Sequence, residues 1–77
     1  MPKWEYCRLE AFSKPYRVLY MRVDGAQSFE VKRDKNKGDG SDDAAYLRTI
    51  AELGLQGWEA LGYQGPTGNI LFKRQLP

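Results

Sequence analysis

The sequence has no histidine, a single cysteine and no long apolar run, and each absence excludes a class of protein. Without histidine, the commonest general base of enzymes and every His-containing zinc site are missing. Cys7 alone makes neither an internal disulfide nor a four-cysteine zinc site. We therefore expect no metal, no cofactor and no enzymatic activity. We interpret Cys7, which lies inside an aromatic-rich segment, as a buried structural thiol.

The lack of a long apolar run also bears on where the protein resides. No stretch approaches the ~20 residues that cross a bilayer, and residues 1–10 lack the apolar core of a signal peptide. An unpaired cysteine is typical of a reducing compartment. We expect a cytoplasmic protein with no membrane partner.

The net charge is small, but its distribution is uneven. The total is +2, which does not by itself indicate binding to a polyanion. Residues 1–37 contain nine Lys and Arg against five Asp and Glu, and residues 38–77 contain three against five. This asymmetry permits one basic face without requiring it.

Aromatic residues, by contrast, are abundant. Two Trp, five Tyr and three Phe make ten aromatics in 77 residues. A domain of this size buries only about 60% of the surface that its unfolded chain exposes, so its interior has limited room for them. We expect some aromatic side chains at a subunit interface, at a ligand site or half exposed.

Hydrophobic patterning predicts one domain, residues 1–77, of the α+β class. The expected architecture is an antiparallel sheet of four to five strands in the order β-β-β-α-β-β, with one helix packed on one face. The predicted strands are Lys3–Phe12, Tyr16–Val23, Gln27–Arg33, Trp58–Gln64 and Ile70–Gln75. The sequence leaves open the spatial order of the strands and whether residues 27–33 form a true strand. Residues 34–40 are polar and glycine-bearing, which predicts a mobile loop.

One helix is predicted from Asp42 to Leu55, with Ser41 as its N-cap. Its apolar stripe is Leu47, Ile50, Ala51 and Gly54, broadened by Leu53, and we expect this stripe to face the sheet. Gly54 would let the helix backbone approach the sheet. Gly57 would end the helix in a left-handed conformation.

Three short motifs resemble a group of short prokaryotic proteins of unknown function. They are Trp4-Glu5-Tyr6, Leu53-Gly54-x-x-Gly57-Trp58-Glu59 and Phe72-Lys73-Arg74. The resemblance spans nearly the whole chain and implies a compact α+β domain with one helix across an antiparallel sheet. It implies no activity. We interpret Gly54, Gly57, Trp58 and Phe72 as structural residues.

The first two strands carry apolar side chains on both faces, although a single helix covers only one face. Trp4, Tyr6, Val18 and Tyr20 are the candidate residues of an uncovered face. A large apolar patch is unusual on a soluble monomer. We therefore expect a small non-catalytic interaction or structural module that self-associates through this face, most simply as a dimer. A partner protein or a small ligand is the other expected occupant of this face.

The alternative function is binding of single-stranded nucleic acid. Lys32, Arg33, Lys35 and Lys37 form a basic arm, and the sheet aromatics Trp4, Tyr6, Tyr16 and Tyr20 could stack bases. The modest net charge limits the electrostatic contribution to such binding. The self-associating module is therefore the favoured prediction.

Overall fold

A computed structural model of the chain describes residues 3–12, 14–65 and 68–77. It contains strands β1 (Trp4–Glu10), β2 (Arg17–Arg22), β3 (Gly25–Glu30), β4 (Glu59–Gln64) and β5 (Asn69–Gln75), a short 3₁₀ turn (Lys35–Lys37) and one helix, α1 (Asp42–Leu55). The predicted α+β class and the element order β-β-β-α-β-β are confirmed. The turn at residues 65–69 that the sequence predicts between the last two strands lies in part outside the described residues.

The five strands form one antiparallel sheet in the spatial order β3-β2-β1-β5-β4. The first and last strands of the chain therefore lie next to each other near the middle of the sheet. β3 is a strand, and it starts two residues earlier and ends three residues earlier than predicted. Helix α1 connects edge strand β3 to edge strand β4, so the chain must cross one face of the sheet between them.

Both ends of α1 follow the predicted capping signals. Ser41 Oγ accepts a hydrogen bond of 3.1 Å from the N–H of Ala44. At the other end, Gly57 adopts a left-handed φ of 90°. Its N–H donates to the carbonyl of Gly54, and the N–H of Trp58 donates to the carbonyl of Leu53, each at 3.0 Å. These two bonds form a Schellman motif and confirm Gly57 as the residue that ends the helix.

The buried face of α1 differs from the prediction. The buried residues are Ala45, Thr49 and Leu53, whereas Leu47 is 63% exposed. Of the predicted stripe, Leu53 is buried and Ile50 packs against the core, whereas Leu47, Ala51 and Gly54 are exposed. The prediction missed Ala45 and Thr49 because it followed only the larger apolar residues. Thr49 Oγ1 donates to the carbonyl of Ala45 at 2.8 Å, so its hydroxyl is satisfied within the helix and can face the core.

The structural role predicted for Gly54 is also wrong. Gly54 lies on the exposed side of α1. A Cβ atom built there would meet nothing within 4 Å, so the helix makes no close approach at this residue. The helix packs on the sheet through the side chains of its opposite side.

The core lies between α1 and the sheet. It consists of Cys7, Leu9, Val18, Leu53, Trp58, Ile70 and Phe72. The thiol of Cys7 is fully buried, and this burial raises its pKa to about 12. At neutral pH the side chain is therefore a protonated apolar group, as its interpretation as a structural thiol requires.

Residues of the three sequence motifs meet where the helix ends. The guanidinium carbon of Arg74 lies 4.3 Å from the ring centroid of Trp58. Arg74 also binds the carboxylate of Glu5 and donates to the carbonyl of Gln56 at 3.0 Å. Phe72 is buried beneath them in the core. These contacts tie the end of α1 to β1 and β5, so they account for architecture and supply no reactive group.

Candidate interaction surfaces

The sheet has a second face, which α1 does not cover. Cys7 and Leu9 are buried on the helix side, so the alternate residues Trp4, Tyr6 and Arg8 of β1 point to the opposite side. The strand register adds the neighbours of these residues on β2 and β5. We call this surface the open face, and its apolar residues are Trp4, Tyr6, Leu19, Met21 and Leu71. Trp4 and Tyr6 are 38% and 41% exposed.

The charges on the open face are balanced. Arg8, Arg17 and Lys73 are positive, and Glu10, Glu30 and Glu59 are negative. Opposite charges occupy neighbouring positions, because Arg17 lies opposite Glu10 on one side and Glu30 on the other. Arg8 Nη2 lies 2.8 Å from Glu10 Oε2. The open face therefore combines an apolar centre with six charges that sum to zero.

The four residues predicted for this face do not lie together. Trp4 and Tyr6 belong to the open face, but Val18 lies opposite Leu9 and is buried on the helix side. Tyr20 lies opposite Cys7 on the same side. The grouping of Val18 and Tyr20 with the two β1 aromatics was therefore wrong.

The sequence analysis assigned the wrong set of alternate residues of β2 to the open face. The run Val18–Met21 has no charged or strongly polar residue that would mark which side chains point away from the core. Only the register with β1 shows which residues point away from the helix. The open-face residues Leu19, Met21 and Leu71 were missed for the same reason. No local signal in the sequence distinguishes them from core residues.

The residues of the basic arm lie on the helix side, beside α1. Arg33 Nε lies 2.9 Å from Asp42 Oδ1, and Lys37 Nζ lies 3.5 Å from Glu52 Oε1. Within the described ranges, Lys32 and Lys35 form no ion pair. Half of the predicted basic arm is therefore already paired with carboxylates.

The predicted stacking aromatics are divided between the two faces. Trp4 and Tyr6 lie on the open face, away from the basic arm. Tyr16 packs edge-to-face against Tyr46, with ring centroids 5.7 Å apart, and Tyr20 lies in the helix-side layer. Of the four aromatics named in the nucleic-acid prediction, only Tyr20 lines a common cleft with residues of the basic arm, so the predicted surface is not formed as a whole.

Arg48 fixes the segment that follows β3. Its Nε lies 3.0 and 2.9 Å from the two carboxylate oxygens of Asp39, and its Nη1 lies 2.8 Å from Glu52. Its Nη2 also donates to the carbonyl of Lys32 at 3.1 Å. Asp39 is 2% exposed and accepts the N–H of Asp34. The hydrogen bond from Arg48 lowers the pKa of Asp39, so the carboxylate remains charged.

These contacts bear on the predicted mobile loop at residues 34–40. Although the segment is polar, one of its residues, Asp39, is almost fully buried. The segment has defined turns, with Asp34 capping the 3₁₀ turn and Gly38 ending it at a φ of 86°. Its mobility stays a prediction.

A cleft of about 380 Å³ lies between β3, α1 and residues 32–37. Val18, Tyr20, Phe29 and Val31 line it from the sheet. Within the described part of the chain, no cluster of three or more His, Cys, Asp or Glu side chains could hold a metal ion. No helix there is long and apolar enough to cross a membrane.

The fold and these surfaces define the chain as a small α+β domain with an uncovered sheet face and a cleft beside its helix. Comparison with protein-family models, curated proteins and solved structures found no match. The resemblance to short prokaryotic proteins of unknown function therefore stays a prediction.

Proposed function

We propose that the protein is a non-catalytic module that self-associates as a twofold dimer through the open face. The observation that carries this proposal is the exposure of Trp4 and Tyr6 on β1, near the middle of a sheet face that no other described element covers. Burial of such apolar surface is the main driving force of protein association.

The size of the open face suits a dimer. Five strands spaced about 4.8 Å apart, each about six residues long at ~3.4 Å per residue, give a face of roughly 24 by 20 Å. Stable interfaces bury about 600–1,000 Å² on each partner. The flat area of the open face is therefore about 480 Å², a little below this range before the relief of the side chains is counted. Most of the face would then have to be in contact.

The charge pattern favours a second copy as the occupant. A partner with charges of a single sign would leave three like charges of the open face unpaired. A twofold copy presents the same alternating charges, so Arg8 of one protomer can meet Glu10 of the other.

Sedimentation equilibrium of the unmodified chain and of Tyr6→Glu tests this proposal. We expect a dimer for the unmodified chain and a monomer for the variant, because the substitution replaces an exposed aromatic ring with a charge that dimerisation would have to remove from water. Leu47→Glu is the matched control, since Leu47 is exposed on the outer side of α1. This control should stay dimeric.

Circular dichroism would establish that each variant remains folded. A monomeric unmodified chain at high concentration would refute the proposal. It would also fail if Tyr6→Glu stayed dimeric while Leu47→Glu became monomeric, because the interface would then lie on the helix.

A further inference from the structure

A single helix is too narrow to cover this sheet. A helix with its side chains is about 10 Å wide, whereas the outer strands of a five-stranded sheet lie about 19 Å apart. The helix side of β3 is therefore left open, and Phe29 on this strand is 55% exposed. The cleft of about 380 Å³ beside α1 results from this mismatch.

One end of the cleft is aromatic. The ring of Phe29 packs edge-to-face on Tyr20, with centroids 5.6 Å apart. Tyr20 in turn contacts Trp58 next to the end of α1. The exposed ring of Phe29, held in place by Tyr20, is the kind of platform on which a planar ring stacks.

Gln56 adds a neutral hydrogen-bonding group to the same cleft. Gln56 follows the last residue of α1, two positions before Trp58, and its side chain lines the cleft. Among the described residues, the side-chain amide of Gln56 has no hydrogen-bond partner. An amide offers both donors and an acceptor, as the edge of a nucleobase does.

The lining of the cleft also carries four cations, Lys32, Arg33, Lys37 and Arg48, against three carboxylates, Glu30, Asp34 and Glu52. Lys32 forms no ion pair with any described residue, and Lys14 and Arg33 share the single carboxylate of Asp42. Lys37 Nζ lies 3.5 Å from the carboxylate oxygen that it faces. Exposed ion pairs of this kind contribute little to stability, so an incoming phosphate can replace them.

We propose that this cleft binds a nucleotide unit. The base would stack on Phe29 and be hydrogen-bonded by Gln56. The phosphate would be held by Lys32, Arg33 and Lys37. The cleft volume lies within the ~300–1,000 Å³ typical of small-molecule sites. The ligand is either a free mononucleotide or one unit of a single strand, since both present the same base and phosphate.

Binding measurements with adenosine 5′-monophosphate, a short oligo(dA) strand and inorganic phosphate test this proposal. We expect binding of at least one of the two nucleotide probes, with an affinity that falls as salt rises. Phe29→Leu keeps an apolar side chain but removes the ring, and we expect about tenfold weaker binding. The double variant Lys32→Gln/Lys37→Gln should also bind more weakly and lose part of the salt dependence.

Lys35→Gln is the matched control, because Lys35 belongs to the same segment but does not line the cleft. Its affinity should equal that of the unmodified chain. Binding of the mononucleotide identifies a free nucleotide as the ligand, and binding of the strand alone identifies a strand unit. The proposal is overturned if neither nucleotide probe binds, if Phe29→Leu binds as well as the unmodified chain, or if inorganic phosphate binds as tightly as the nucleotide.

Discussion

At the scale of single residues, two neighbouring glycines of one motif have opposite structural roles. Gly57 has a φ of 90°, a conformation that disfavours every residue with a Cβ. Gly54 lies inside α1 on its exposed side and has open space around it. The spacing of glycines in a motif therefore does not reveal which of them the fold requires.

This difference predicts opposite effects of alanine on stability. We expect Gly57→Ala to lower the free energy of unfolding by about 1–2 kcal/mol, the cost of a left-handed conformation for an L-residue. Gly54→Ala should raise the same free energy by about 0.5–1 kcal/mol, because alanine favours the helix. Urea denaturation of the two variants measures both effects. A destabilising Gly54→Ala would show that the helix needs glycine there after all.

At the scale of elements, local signals explain which predictions held. Helix α1 has its predicted bounds because Ser41 and Gly57 mark its ends within the sequence itself. Its buried face was predicted only in part: Leu53 and Ile50 pack on the core, but Thr49 was missed because its hydroxyl is satisfied by its own helix. The burial of Asp39 was also missed, since it depends on Arg48, which belongs to another element. The polar sequence of residues 34–40 does not by itself indicate that Arg48 binds this segment.

The contact between Arg48 and Asp39 predicts a change in local stability. Replacing the guanidinium in Arg48→Met keeps an apolar stem but leaves Asp39 without its main partner. We expect faster hydrogen exchange at the Asp34 amide, whose N–H donates to Asp39 at 2.8 Å. Lys35→Met is the control, and it should leave this amide protected. Equal exchange rates in the two variants would argue against a fixing role for Arg48.

The same contact has a defined pH dependence. Arg48 lowers the pKa of Asp39 from its usual 3.8 in the folded chain. The stabilisation is therefore complete above pH 3.8 and is lost as the pH falls through the lowered pKa. Protection of the Asp34 amide should persist at mildly acidic pH and disappear only in stronger acid, after correction for the intrinsic exchange rate.

At the scale of the whole molecule, the sequence predicted the class of the fold but not its surfaces. Alternation and turn residues indicate strands one at a time, whereas a face is shared by several strands. Either set of alternate residues in the apolar run of β2 could face the helix. The pairing of β2 with β1 decides which set lies under the helix. The cleft arises from the width of five strands against one helix, a relation that no short motif contains.

The open face also predicts how stability responds to concentration. If the dimer forms only from folded protomers, mass action stabilises the fold as the protein concentration rises. We expect the melting temperature to rise by several degrees over an increase of about a hundredfold in concentration, since a small domain unfolds with a small entropy change. Tyr6→Glu should melt at a temperature independent of concentration, and Leu47→Glu should behave like the unmodified chain. A concentration-independent melting temperature for the unmodified chain would mean that the open face contributes nothing to folding, whatever else it contacts.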